Sequence, residues 1–248
     1  MTINGDDLLG SILASLERIK YIEAEDIPGI DLYMDQVTSF MDRRLRASVR
    51  NPGDDRVLTK TMINNYAKND LIPPPIKKKY SREHLMLLIF IYYFKGILSI
   101  GDIQTVLEPI TKKYFDNDED FNLESIYREI IDMEKDQLDG LKEDVVKKYR
   151  EAQETFEDAP EGGQEFLRYF AFIGLLSYDV YVKKLLIEKL IDEMRKAPEE
   201  KKEAAKKEKD AAKKEAVKKE KEAAKKEAAK KEPVKKEAPK KETPKKEA

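Results

Sequence analysis

The sequence predicts an all-α protein, on three observations. Apolar residues recur at three- and four-residue spacing through most of residues 6–195, and Ser or Thr stands just ahead of several of those stretches. No strand-period segment of any length interrupts them, apart from a short two-stranded wing expected near residues 75–80.

The first helix is expected over 6–20, where Leu8, Leu9, Ile12, Leu13, Leu16 and Ile19 form a one-sided stripe, and Pro28-Gly29 ends any continuation. A second helix is read over 33–46, with Met34, Val37, Phe40, Met41 and Leu45 inward and an arginine-rich end. Asn51-Pro52-Gly53-Asp54-Asp55 is loop chemistry. A short third helix, about 59–69, has Thr59 as its N-cap. Prolines 73–75 forbid helix and favour a stiff polyproline turn. Ser81 caps a longer helix to about 95, and Ser99 caps another over 100–113, with Ile100, Ile103, Val106, Leu107 and Ile110 apolar.

From Leu123 to about Phe156 a charged helix carries Ile126, Ile130, Met133, Leu138, Leu141, Val145 and Tyr149 as a seam that Gly140 interrupts. Residues 159–163, APEGG, read as a hinge. Helix 166–194 is apolar on nearly all sides through residue 182, which predicts burial from several directions, in a core or a dimer interface, with an apolar ligand pocket as the sharper reading.

After Met194 the composition changes. Residues 196–248 contain no aromatic, Leu or Ile and repeat AAKKE-like units, a composition that cannot build a core. Residues 199–232 lack Pro and Gly and are expected to form a partly populated, solvated helix; the Pro233, Pro239 and Pro244 repeats are expected to be extended and disordered. This tail is read as a solubilising segment, or as a sequence-independent tether to DNA or a partner.

The chain has 48 Lys+Arg and 50 Asp+Glu, a net of −2 that conceals strong segregation. Residues 196–248 carry 21 basic and 13 acidic side chains, net +8, so 1–195 is net −10. Within that acidic body, 41–82 holds 11 basic and 4 acidic residues, net +7. A basic island in an acidic protein draws a polyanion to one face and repels it elsewhere.

The absence of Cys excludes disulfides, thiolate metal sites and a nucleophilic cysteine. With His84 the sole histidine, a multi-histidine metal site is excluded; His84 is read as a surface or half-buried residue at a helix start, not as a base. No convincing nucleophile, metal set or phosphate-binding glycine loop stands out, so an enzyme is not expected, and no cofactor. The start MTINGDDLLG has neither a basic nor an apolar leader region, and windows 85–100 and 166–178 are too short to span a bilayer, so a cytoplasmic protein is expected.

Residues 58–91 carry most of the chemistry. On the third helix Met62, Ile63 and Tyr66 face inward by spacing, and Lys60, Thr61, Asn64, Asn65 and Lys68 face outward. Lysine supplies phosphate contacts, while asparagine can pair with an adenine edge through two hydrogen bonds. Lys77, Lys78 and Lys79 sit on a proline-anchored loop that can follow a nucleic-acid backbone as a wing, next to Tyr80 and Arg82.

Segment 58–107 resembles the N-terminal domain of MerR-type bacterial regulators. The family's pattern is matched by Ile63, Tyr66, Leu71, Pro73, Tyr80, Ser81, Leu85, Leu88, Ile91, Ser99, Ile100 and Ile103. The text at Ile30–Val37, Leu58–Lys68, Pro73–Pro75 and Lys78–Ser81 is similar to a bacterial family filed as a domain of unknown function with MerR-like helix-turn-helix character. Departures are Asn64-Asn65-Tyr66 where Arg-Tyr-Tyr is common, so that only Tyr66 carries over as a backbone contact. Lys78 stands in place of a wing arginine, and the inter-helix loop 47–57 is long.

Spacing and composition delimit an N-terminal amphipathic helix (1–26) and the tail (196–248); between them the resemblance implies a winged helix-turn-helix domain (27–113), followed by a helical region expected to dimerise or sense a signal (114–195). The function expected is a sequence-specific transcriptional regulator binding double-stranded DNA as a homodimer. Its DNA contacts are expected from Lys60, Thr61, Asn64, Asn65, Tyr66, Lys68, Lys77, Lys78, Lys79, Tyr80 and Arg82. The alternative is a protein-interaction adaptor that keeps a winged-helix scaffold without specific DNA binding.

Overall fold

A computed structural model describes residues 5–17, 21–51, 53 and 56–229, and among them the protein is all-α with two short strands. The chain divides into two units, 1–195 and 196–248. In chain order the elements are α1 (Gly5–Glu17), β1 (Leu32–Tyr33), α2 (Met34–Leu45), α3 (Lys60–Lys68), β2 (Lys79–Tyr80), α4 (Arg82–Phe94), α5 (Ile100–Tyr114), α6 (Leu123–Gln153) and α7 (Glu161–Ala229). The second unit is helical through Ala229; the expectation for Pro233 to Pro244 lies outside the described residues. No helix among the described residues is long and apolar enough to cross a membrane.

One hydrophobic cluster runs from Ile22 to Ile131 and organises this stretch as a packed body. Its centre is α4, where every residue from His84 to Ile91 is buried. Around it lie Val37, Phe40, Met41 and Leu45 of α2, Ile63 and Tyr66 of α3, Ile103 and Leu107 of α5, and Leu123, Tyr127 and Ile131 of α6. Removing a large aliphatic side chain of this kind from water contributes roughly 1.5–3 kcal/mol. Local hydrogen bonds fix where the helices begin. Thr59 Oγ1 accepts from the Met62 amide at 3.1 Å, and the Ser99 hydroxyl accepts from the Asp102 amide at 3.2 Å.

His84 departs from the surface or half-buried position expected for it: it is only 2 % exposed. Its Nδ1 accepts from the Ser81 amide at 3.0 Å, while Nε2 lies 3.1 Å from the Pro73 carbonyl oxygen. That pairing requires Nε2 to carry the proton, so the neutral ring ties the proline turn to the start of α4. Tyr80 and Phe115 meet the ring edge-on, at centroid distances of 5.5 and 4.8 Å.

Three further expectations are corrected. The α6 seam is Leu123, Tyr127 and Ile131, then Val145, Tyr149 and Ala152, whereas Met133 and Leu141 are exposed; α6 runs unbroken through Gly140. Helix tolerates a single glycine at a cost of about 1 kcal/mol, and 31 residues of helix absorb it. Gly162 and Gly163 lie in the first turn of α7, so the chain reverses ahead of them, at 154–160. The third correction concerns residues 166–194, which no core of this chain buries from several directions. Phe172 and Ile191 are buried, but Phe166, Phe170, Ile173, Tyr178, Tyr181 and Leu190 are each 58–70 % exposed. A smaller cluster joins Val145, Tyr149, Ala152 and Phe172 to the half-buried stripe of α1, Leu9, Ile12, Leu13 and Leu16.

Candidate nucleic-acid interface

Helix α3 is anchored from beneath and sharply ended. Ile63 and Tyr66 insert into the core. Asp70 then takes a left-handed conformation (φ 55°), and the Leu71 amide returns to the Tyr66 carbonyl at 2.9 Å. This is a Schellman-type stop, closed by the buried Leu71 side chain. The outer face is left as Lys60, Thr61, Asn64, Asn65 and Lys68, all exposed, as their spacing predicts.

The hairpin beside it is built by backbone pairing. Ile76 and Lys79 exchange two hydrogen bonds, 3.1 and 2.9 Å, around a two-residue turn. Both turn residues, Lys77 and Lys78, have positive φ (51° and 66°), as a type I′ turn requires. Asn-Gly suits that turn; lysine there costs conformational energy, and such strain concentrates at functional sites. The outgoing strand β2 pairs antiparallel with β1, with Leu32 opposite Tyr80 and Tyr33 opposite Lys79. Alternation sends Leu32 and Tyr80 into the core and leaves Tyr33 and Lys79 on the outer side, where the lysine ammonium sits 5.3 Å from the Tyr33 ring centroid.

The expected site residues therefore separate into groups. Lys60, Thr61, Asn64, Asn65 and Lys68 share one helix face, and Lys77 and Lys78 form an exposed hairpin tip. Lys60 pairs with Asp35 at the start of α2, and because both side chains are well exposed the pair is weak and exchangeable. Lys79 is half-buried and committed to Tyr33. Tyr66 and Tyr80 are core residues, 6 % and 2 % exposed, and burial pushes both phenols above their ordinary value. The backbone-contact role expected of Tyr66 thus has no exposed ring behind it. Arg82 turns inward as well, donating to the Ala24 carbonyl at 2.6 Å and to Glu124 at 3.1 Å.

Much of the basic island is internally matched. Arg44 pairs with Asp26 at 2.8 Å, and Arg46 pairs with Asp42 on the next turn of the same segment. What remains on the outside is cationic and carboxamide chemistry. Lysine ammonium groups can meet phosphates, and two adjacent asparagines each offer a donor and an acceptor to a base edge.

Sequence reasoning missed Tyr33 and strand β1. The motif Leu32-Tyr33 holds only two residues of alternation, and its partner lies about 47 residues away, so no local period reveals the pairing.

No curated protein and no solved structure matches the chain. Residues 22–130, nearly the same stretch as the packed body that carries α3 and the hairpin, match the family model described as Domain of unknown function (DUF1836).

Proposed function

We propose that the packed body is a MerR-like winged helix-turn-helix domain and that the protein is a sequence-specific, DNA-binding transcriptional regulator. In this reading α2 and α3 are the helix-turn-helix pair, α3 enters the major groove, and the 76–80 hairpin lies along the backbone as the wing. The observation that carries it is the exposed Lys60/Thr61/Asn64/Asn65/Lys68 face next to a hairpin whose strained tip is two lysines. Strain at a tip that presents only cations is hard to explain by stability and is in keeping with a phosphate contact.

The test is fluorescence anisotropy of the full chain against genomic fragments, with excess random DNA at physiological salt. One fragment class should be retained selectively. Asn64→Ala with Asn65→Ala should relax that preference by about 1–3 kcal/mol per lost base contact. Lys78→Ala should instead weaken binding to every sequence and lower the logarithmic salt slope by about one. Binding that is weak, unselective and abolished by moderate salt would end the regulator reading. The adaptor reading would then stand, favoured by the apolar surface that α7 leaves uncovered.

A further inference from the structure

Most half-buried cations of this chain meet a carboxylate. Arg44 reaches Asp26, Arg46 reaches Asp42, Arg82 reaches Glu124, Lys135 reaches Glu23, and Lys148 reaches Asp144 and Asp179. Hydrogen bonds to Glu23 and Asp144 hold the Lys135 and Lys148 ammonium groups above the ordinary lysine value. Lys95, at the end of α4, is the opposite case. It is half-buried, with the Val57 carbonyl 2.9 Å from its ammonium and the Tyr92 ring centroid at 4.9 Å. Burial pulls it below the ordinary lysine value, and no carboxylate among the described residues opposes that. A desolvated cation without a counter-ion is costly, and an ammonium has three donors to offer an anion.

Lys95 lines a hollow of about 500 Å³, together with Ser48, Val49, Arg56, Tyr92 and Tyr93. That volume is in the range of small-molecule sites. Its walls are held from behind. Val57 is 1 % exposed, the Ser48 and Tyr92 hydroxyls stand 2.7 Å apart, and the Tyr92 and Tyr93 rings meet edge-on at 5.7 Å. The Tyr93 phenol is pushed up to about 12, chiefly by burial, so it stays neutral and does not repel an anion. Arg56, exposed at the rim, adds a second cation. The hollow thus offers positive charge and aromatic surface together. Its recessed cation suits a small ligand better than a rod-like polyanion.

We propose that this hollow is a binding site for a small aromatic anion. A carboxylate or phosphate head lies between the Lys95 ammonium and the Arg56 guanidinium, and the ring lies against Tyr92 and Tyr93. Walls already fixed by the fold keep the ordering cost of binding small. The site lies within the packed body and stands whether or not the protein binds DNA.

Calorimetric titration of the full chain, without nucleic acid and at physiological salt, tests it with naphthoate and naphthyl phosphate. At least one probe should bind saturably, one molecule per chain, and the tighter one identifies the head group. Naphthamide, which keeps the ring, and acetate, which keeps the charge, should each bind about tenfold more weakly or worse. Lys95→Met keeps the aliphatic stem and should weaken the probe by about tenfold or more. Arg56→Glu, at an exposed position, should do the same, with circular dichroism unchanged, whereas Lys95→Arg should keep most of the affinity. The lysines of residues 196–248 are present in every variant, so attraction to the tail would survive all of these changes. Asp54 and Asp55, just ahead of Arg56 in the sequence, are counter-ions that the chain itself could supply. The proposal is overturned if neither probe binds the wild type, or if binding appears only in Asp54→Asn with Asp55→Asn. Equal binding by the wild type, Lys95→Met and Arg56→Glu overturns it as well, by placing the probe elsewhere.

Discussion

Helix α4 and residues 166–182 of α7 are written in nearly the same apolar alphabet, yet the fold treats them oppositely. REHLMLLIFIYYF is the centre of the packed body, with eight consecutive buried residues. FLRYFAFIGLLSYDVYV, at 166–182, keeps Phe172 inside and leaves most of its rings in water. Apolar density along the chain records that a surface must be covered; it does not record whether the cover comes from the same chain. Helix α4 is covered by α2, α3, α5 and α6, whereas α7 rests on one side only, through Phe172, Asp179 and Arg195.

Truncation is the sharpest way to break this comparison. Leu88→Ala, at a fully buried position of α4, should cost about 2–5 kcal/mol, measured by urea unfolding. Ile173→Ala, 60 % exposed, should stay within about 0.5 kcal/mol in dilute protein and become costly only at concentrations where copies associate. Equal effects in dilute protein would mean that α7 is as well covered as α4.

A smaller effect concerns the single polar residue of the α4 core. Burial depresses the His84 pKa below its ordinary 6.5, only partly opposed by the Pro73 carbonyl and the carboxylates of Asp31 and Asp116. The unfolded chain therefore binds the proton more readily than the folded one. This contribution to stability is complete above about pH 6.5 and is lost as the pH falls from there through the depressed folded value. His84→Ala should lose about 1–3 kcal/mol at pH 8 and should flatten that part of the pH profile, both read from thermal unfolding at several pH values.

The smallest expected effect has the opposite sign. Lys77→Asn with Lys78→Gly should raise stability by about 1 kcal/mol by relieving the left-handed lysines, while weakening any DNA binding. A destabilised double variant would show that the lysines are held by contacts worth more than the strain.

What was legible in the sequence follows from range. Thr59, Ser81 and Ser99 could be identified as helix starts because a cap is a contact between neighbours in the chain. The outward face of α3 was legible because Ile63 and Tyr66 fix its rotation. The inward turn of Arg82 was not, since its partners Ala24 and Glu124 lie 58 and 42 positions away. The α6 seam was misjudged at Met133 and Leu141 because spacing shows which residues share a side, not where the neighbouring helix stops. No local pattern shows that Pro73 and Phe115 close over His84, so the sequence places it at a helix start without its burial.

The two ends of the packed body meet. The Tyr127 hydroxyl donates to the Ile22 carbonyl at 2.6 Å, and Arg128 and Lys135 reach back to Glu25 and Glu23. A body whose chain enters and leaves at one place is a portable insert: it can be spliced into a loop of an unrelated host without stretching it. By the same geometry its ends can be joined and new ones opened at the exposed Arg50-Asn51 pair, giving a circular permutant that keeps the same core.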